Sequence, residues 1–168
     1  SIWLQKEADE LQQVLAQENI RFAFLKGTAF DARYWSHTGL RYFMDIDLLI
    51  HPEDFDLSLK KITELNYSLN GQSPIDGGPK TRSTVDLVRK KKPWKTSVDL
   101  HRFPFDAFRH QHQWNNLWAR IQHQETPIGT RAMLPPEDEI VYWAGNQLKS
   151  LFSEWPKACL DIYVLLKK

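Results

Sequence analysis

Asp45-Ile46-Asp47-Leu48-Leu49-Ile50 is the stretch on which the fold turns, and it reads as a β-strand closed off by Pro52. Side chains alternate along a strand, so Asp45 and Asp47 share one face while Ile46, Leu48 and Ile50 share the other. Two carboxylates on one face of an apolar strand repel each other and are costly to bury unpaired. Something cationic must meet them. A hard divalent ion, Mg²⁺ or Mn²⁺, takes the oxygen ligands they offer.

A third carboxylate stands in the same setting, Asp99 within Ser97-Val98-Asp99-Leu100-His101. Val98 and Leu100 point one way, Asp99 and His101 the other. Three aspartates on neighbouring strands make a site for one or two metal ions of the kind used in phosphoryl-type transfer. His101 reads as a base, a metal ligand or a strand histidine bonded to its neighbours. Upstream, Leu25-Lys26-Gly27-Thr28 lies where a strand from Ile20 to Leu25 gives way to a helix ending near Trp35. Helix N-termini offer free N–H groups and a positive dipole end to phosphate. Gly27 lets a ligand approach the backbone, while Lys26 and Thr28 add a charge and a hydroxyl.

Structural alternatives stand beside these readings. Asp45 and Asp47 could instead cap the turn from Arg41 to Met44 and pair with Arg41. Asp99 could face Lys90 or Lys95 across a hairpin, and Lys26 could be a solvated strand end. Arg41 either holds the aspartates or reaches a phosphate.

Outward from this centre, Leu4, Ala8, Leu11 and Leu15 give an N-terminal helix its apolar stripe. Pro52 opens another helix, with Phe55, Leu59, Ile62 and Leu65 on one face. Asn70 to Pro79 is a loop, and Thr84–Arg89 with Ser97–Phe103 form a hairpin whose tip is basic. After Pro104 the chain reads as mostly helical. Pro135-Pro136-Glu137-Asp138-Glu139 starts a helix with Ile140, Ala144, Leu148 and Leu151 on its apolar face, and Pro156 opens a last one. The expected fold class is α/β (α+β): a small mixed sheet with flanking helices over 1–103, and a mostly helical part, 104–168, packed on it.

Phe24-Leu25-Lys26-Gly27-Thr28, then Leu40-Arg41 before Asp45-Ile46-Asp47-Leu48-Leu49-Ile50, then Val98-Asp99-Leu100-His101, resemble the uncharacterised bacterial nucleotidyltransferase family. That family belongs to the polymerase-β-like nucleotidyltransferase superfamily. The resemblance covers nearly the whole chain, since Leu134 to Asp138 and Trp155 to Leu166 also fit. It implies an enzyme that moves a nucleoside monophosphate from an NTP donor to an acceptor hydroxyl. The acceptor could be a small molecule, a protein or an RNA. Asp45 and Asp47 would then bind the metal ions, and Asp99 would be the third carboxylate, able to help activate the acceptor. Gly27 and Thr28 would hold the triphosphate, with Lys26 and Arg41 beside them. Gly27-Thr28 replaces the superfamily's usual Gly-Ser or Gly-Gly but keeps a hydroxyl. The alternative is a non-catalytic nucleotide- or protein-binding module of the same fold.

Composition sets the outer bounds. The chain has 168 residues, 42% hydrophobic and 26% charged, which is globular composition. It begins at Ser1 and not at Met, as a trimmed chain or a piece of a longer protein does. Its 22 basic and 21 acidic residues leave a net charge of +1, so no global field marks a nucleic-acid or membrane-surface binder. The basic cluster Arg89-Lys90-Lys91-Lys92, with Lys95, is the local exception. No apolar run approaches the ~20 residues needed to cross a bilayer, and no signal-peptide pattern opens the chain. The lone Cys159 excludes an intramolecular disulfide, reads as a small core residue, and fits a reducing cytoplasmic setting. P-loop, dinucleotide-turn, zincin and nucleophile-elbow motifs are all missing.

Overall fold

The computed structural model describes residues 2–35, 43–70, 84–91, 94–104, 115–126, 129–149, 159, 161 and 163–164. The chain opens with helix α1 (Ile2–Gln17), then strand β1 (Phe22–Leu25). A short helix α2 (Lys26–Phe30) runs into a π turn over Asp31–Trp35. Strand β2 (Asp45–Ile50) leads through a 3-10 turn at Pro52–Asp54 to helix α3 (Phe55–Glu64). Strands β3 (Ser68–Leu69), β4 (Thr84–Lys91) and β5 (Trp94–His101) follow. Helix α4 (Asn115–Trp118), strands β6 (Gln122–Thr126) and β7 (Gly129–Met133), and helix α5 (Pro136–Lys149) come after.

All seven strands join one mixed sheet in the order β3-β4-β5-β2-β1-β7-β6. β2 is antiparallel to β1 but parallel to β5, and β1 is parallel to β7. Central position explains the composition of β1 and β2. Both are covered on two faces, so every residue from Phe22 to Leu25 and from Ile46 to Ile50 is buried.

One sheet face carries Phe24, Ile46, Leu48, Val98 and Leu100 and packs on α1 and α3. The stripe expected on α1 is the one observed, with Leu4, Ala8, Leu11 and Leu15 all buried there. On α3, Phe55 and Ile62 are fully buried, with Leu59 and Leu65 at the margin. The opposite face carries Leu25 and Leu49, which pack on Leu117, Leu134 and Tyr142 from the later part of the chain.

The later part of the chain adds to or departs from expectation at three points. The described part of the chain beyond Pro104 holds strands as well as helices, because β6 and β7 form an antiparallel hairpin that extends the sheet beside β1. On α5 the deeply buried positions are Glu139, Tyr142 and Gln147, while Ala144 is exposed. Ile140 is half-buried, and the side chains of Leu148 and Leu151 lie outside the described residues. Cys159 is exposed and not a core residue. The Asn70–Pro79 loop, beyond Asn70, and most of the helix expected from Pro156 lie outside the described residues.

The basic run also divides. Arg89 points into the α1 side of the sheet, where Nη2 donates to Glu7 and, at 2.6 Å, to Glu10. Lys90 and Lys95 remain exposed and face each other across the hairpin.

Candidate active site

Strand alternation places Asp45 and Asp47 on the sheet face that α5 covers, as the sequence predicts. The parallel β2–β5 ladder pairs Asp45 with Ser97 and Asp47 with Asp99, so Asp99 projects from that same face. Asp86 on β4 occupies the next place in the row, opposite Asp99. Asp99 therefore faces a carboxylate across the hairpin, not Lys90 or Lys95.

Asp47 is the buried centre of the group, 2% exposed. Its Oδ1 accepts from Lys26 Nζ at 2.5 Å and from His101 Nε2 at 3.0 Å. An ionised carboxylate only accepts, so His101 carries its proton on Nε2 here. On the other side of the ring, Nδ1 lies 3.3 Å from Thr84 Oγ1, a hydroxyl that can donate or accept. Burial alone would raise the Asp47 pKa, but the His101 hydrogen bond and the Lys26 charge outweigh it and hold the carboxyl below its ordinary value. Burial likewise opposes the Lys26 charge. Asp47 beside it, with Asp45 and Asp99 further off, nonetheless holds the ammonium above its usual value.

Asp99 goes the other way. Desolvation, then the charges of Asp47, Asp86 and Asp45, push its carboxyl up to about 6. Tyr142 reaches the same place from α5, its phenol raised well above the ordinary value by burial first and by Asp47, Asp99 and Asp45 next. The helix is held there by Arg33 of the π turn. Arg33 donates to Glu139 Oε2 at 2.6 Å, to the Leu134 carbonyl at 2.7 Å and to Gln124 Oε1 at 2.7 Å. Glu139 and Tyr142 are three residues apart and so lie on one helix face.

The donor set suits a divalent cation. One ligand atom each from Asp47, Asp99 and His101 lies within 4.8 Å of the others. Two carboxylate oxygens and an imidazole nitrogen are ligands that Mg²⁺ or Mn²⁺ accepts, with oxygen preferred. The Asp99 carboxyl is raised by burial first and by the neighbouring carboxylates next, and a cation would offset that negative charge.

The turn after β1 lies beside this cluster, because Leu25 pairs with Asp47 across the β1–β2 ladder. Lys26 adopts the left-handed conformation there, with φ 48°. Gly27 is required by close packing: a Cβ at that position would lie 2.5 Å from Phe43 Cβ. Thr28 is 1% exposed, and among the described residues its hydroxyl has no hydrogen-bond partner. Arg41 lies outside the described residues.

The sequence thus brought Asp45, Asp47, Asp99, Lys26, Gly27 and Thr28 to one region. It did not single out Asp86 or Tyr142, and it left the role of His101 open. Asp86 could have been found from hairpin register, since it falls opposite Asp99. Nothing local marks Tyr142.

Comparison with solved structures shows the nucleotidyltransferase fold. The lincomycin-bound lincosamide antibiotic adenylyltransferase LnuA superposes with a TM-score of 0.62 at 14% identity, covering 95% of this chain and 94% of that one. An antigenic nucleotidyltransferase-like protein from Paracoccidioides brasiliensis superposes with a TM-score of 0.66 at 17% identity, covering 99% of this chain and 77% of that one. No curated protein matches the chain. The family model described as uncharacterised nucleotidyltransferase matches residues 2–168, and the chain belongs to that family.

Proposed function

We propose that this nucleotidyltransferase moves a nucleoside monophosphate from an NTP to an acceptor hydroxyl, with a divalent cation held by Asp47 and Asp99. The observation that carries the reading is the β2–β5 register, which sets Asp47 beside Asp99 with His101 in reach. Asp45, one strand repeat from Asp47, would add a third carboxylate. When bound, the divalent ion would offset the triphosphate charge and polarise the attacking oxygen.

The chain's own groups divide the rest of the work. The turn at Lys26-Gly27-Thr28, next to Asp47, would receive the triphosphate, with the Lys26 ammonium as its charge partner. Asp99 would accept the proton of the acceptor hydroxyl as the new oxygen–phosphorus bond forms. The bond between the α- and β-phosphates breaks, and pyrophosphate leaves. Tyr142 and α5 would close the site from above and keep water out. With all three carboxylates present, a catalytic role is favoured over a non-catalytic binding module. The LnuA likeness makes a small-molecule hydroxyl a natural first acceptor class to test.

The test is thermal stabilisation by ATP, GTP, CTP and UTP, each with Mg²⁺ or Mn²⁺ and with EDTA, on the native chain and on Asp45→Asn and Asp47→Asn. Ligand that binds only the folded state raises the melting temperature by mass action. A cation-dependent shift for one NTP, lost in both variants, is expected. Equal shifts in native and variant proteins, or none with any NTP, would overturn the reading.

A further inference from the structure

The buried carboxylate at the centre of the site already has a cation, and it is part of the chain. Lys26 Nζ lies 2.5 Å from Asp47 Oδ1, and His101 Nε2 donates to the same oxygen. Asp47 is 2% exposed and cannot reach water, whereas the Lys26 side chain is 28% exposed. Asp47 is fixed in a central strand, but lysine is a charge on a flexible four-carbon stem and can leave. The Lys26 backbone is held at φ 48°, a conformation that side chains other than glycine seldom adopt. It is held there at the junction of β1 and α2, beside the rung that carries Asp47.

A divalent ion on Asp47, Asp99 and His101 would compete directly with this ammonium. It would also need the Nε2 lone pair of His101, which now carries a proton. Thr84 Oγ1 lies 3.3 Å from Nδ1 and can either donate or accept, so it tolerates both ring tautomers. The imidazole can switch without losing its neighbour. The ammonium cannot be displaced so easily, because it would be left mostly buried without an anion in contact, Asp45 and Asp99 lying further off. A triphosphate supplies that anion.

We infer that Lys26 is an exchangeable counter-cation: it neutralises Asp47 until a nucleotide arrives, then transfers to the phosphates and releases Asp47 to the divalent ion. Cation and nucleotide therefore bind cooperatively, and by linkage each tightens the other by the same factor. Lys26 meets the nucleotide phosphates in this scheme and so sets the order in which the site fills. The inference rests on the nucleotidyltransferase reading of the site.

The experiment titrates Mn²⁺, followed by electron paramagnetic resonance, with and without each of the four α,β-methylene NTPs. The proteins are the native chain, Lys26→Met, Lys26→Arg and Asp47→Asn. The native chain is expected to bind Mn²⁺ about 10-fold more tightly when one nucleotide analogue is present. Lys26→Met should bind Mn²⁺ alone about 10-fold more tightly than the native chain and lose most of the nucleotide enhancement. Lys26→Arg should keep native-like weak binding of Mn²⁺ alone. Equal Mn²⁺ affinity in Lys26→Met and the native chain, with Asp47→Asn weaker than both, would overturn this inference and leave the site reading standing. Native Mn²⁺ affinity indifferent to every analogue would also overturn it, and needs no variant to fold. If Asp47→Asn bound Mn²⁺ as well as the native chain, the metal site itself would be misplaced.

Discussion

Asp47 and Asp99 occupy one rung of the parallel β2–β5 ladder, with both carboxylates on the sheet face beneath α5. Neither strand could bring them together alone. Their closeness is a property of the pairing, and it makes each residue sensitive to the other's charge.

Asp47→Asn and Asp99→Asn should each lower transferase turnover at least about 100-fold. Groups that only support metal ligands typically cost 10–100-fold, and these two are the proposed ligands. Turnover would be measured as pyrophosphate release with the NTP that stabilises the native chain. Circular dichroism would verify that each variant is folded. Activity within a few-fold of native in either variant would remove it from the site.

Asp99 also predicts a pH dependence. Its unfolded carboxyl titrates near 3.8, and burial, then the neighbouring carboxylates, raises the folded one to about 6. Below about 4 both states are protonated and neither burial nor the neighbouring charges cost anything. As pH rises through about 6 the folded carboxyl ionises and that stability is lost. In EDTA near pH 8, Asp99→Asn should therefore be more stable than the native chain. The gain should be on the order of 1 kcal/mol, discounted for partial exposure. Urea unfolding at several pH values would show the gain shrinking towards pH 5. A gain that stayed constant with pH would contradict the electrostatic origin.

On the other face, Glu7 and Arg89 form a buried pair that Tyr67 completes. The Tyr67 hydroxyl donates to Glu7 Oε2 at 2.8 Å, and the guanidinium carbon lies 4.7 Å from the Tyr67 ring centroid. Glu7→Ala removes the buried carboxylate and leaves Arg89 only the half-exposed Glu10, so it should cost about 1–3 kcal/mol. The double change Glu7→Leu with Arg89→Met should cost less than the two single changes summed. Additive losses in urea unfolding would show that the pair is not coupled.

Gly27→Ala should destabilise by about 1–3 kcal/mol, because the new methyl meets Phe43 Cβ. Adding Phe43→Ala keeps that Cβ and should not restore stability. Recovery in the double variant would mean that the ring, and not the backbone approach, sets the limit.

Much of this was legible in the chain itself. Period-2 alternation in Asp45–Ile50 and Ser97–His101 is local, and it determined which carboxylates share a face. The apolar stripe of α1 and the start of α5 at Pro136 follow from equally local rules of helix periodicity and proline placement. What the tertiary structure decided were relations between distant segments. The β2–β5 register paired Asp47 with Asp99, and a slip by one residue would have turned Asp99 to the opposite face. β7 entered the sheet beside β1, although nothing within Gly129–Met133 names its partner. Arg33 pinned Glu139, and through α5 it placed Tyr142 over the carboxylates. Lys26 found Asp47 only because β1 and β2 pair. Local pattern determines which way a side chain points. Which side chain it meets depends on packing many residues away, where burial and charge are settled together.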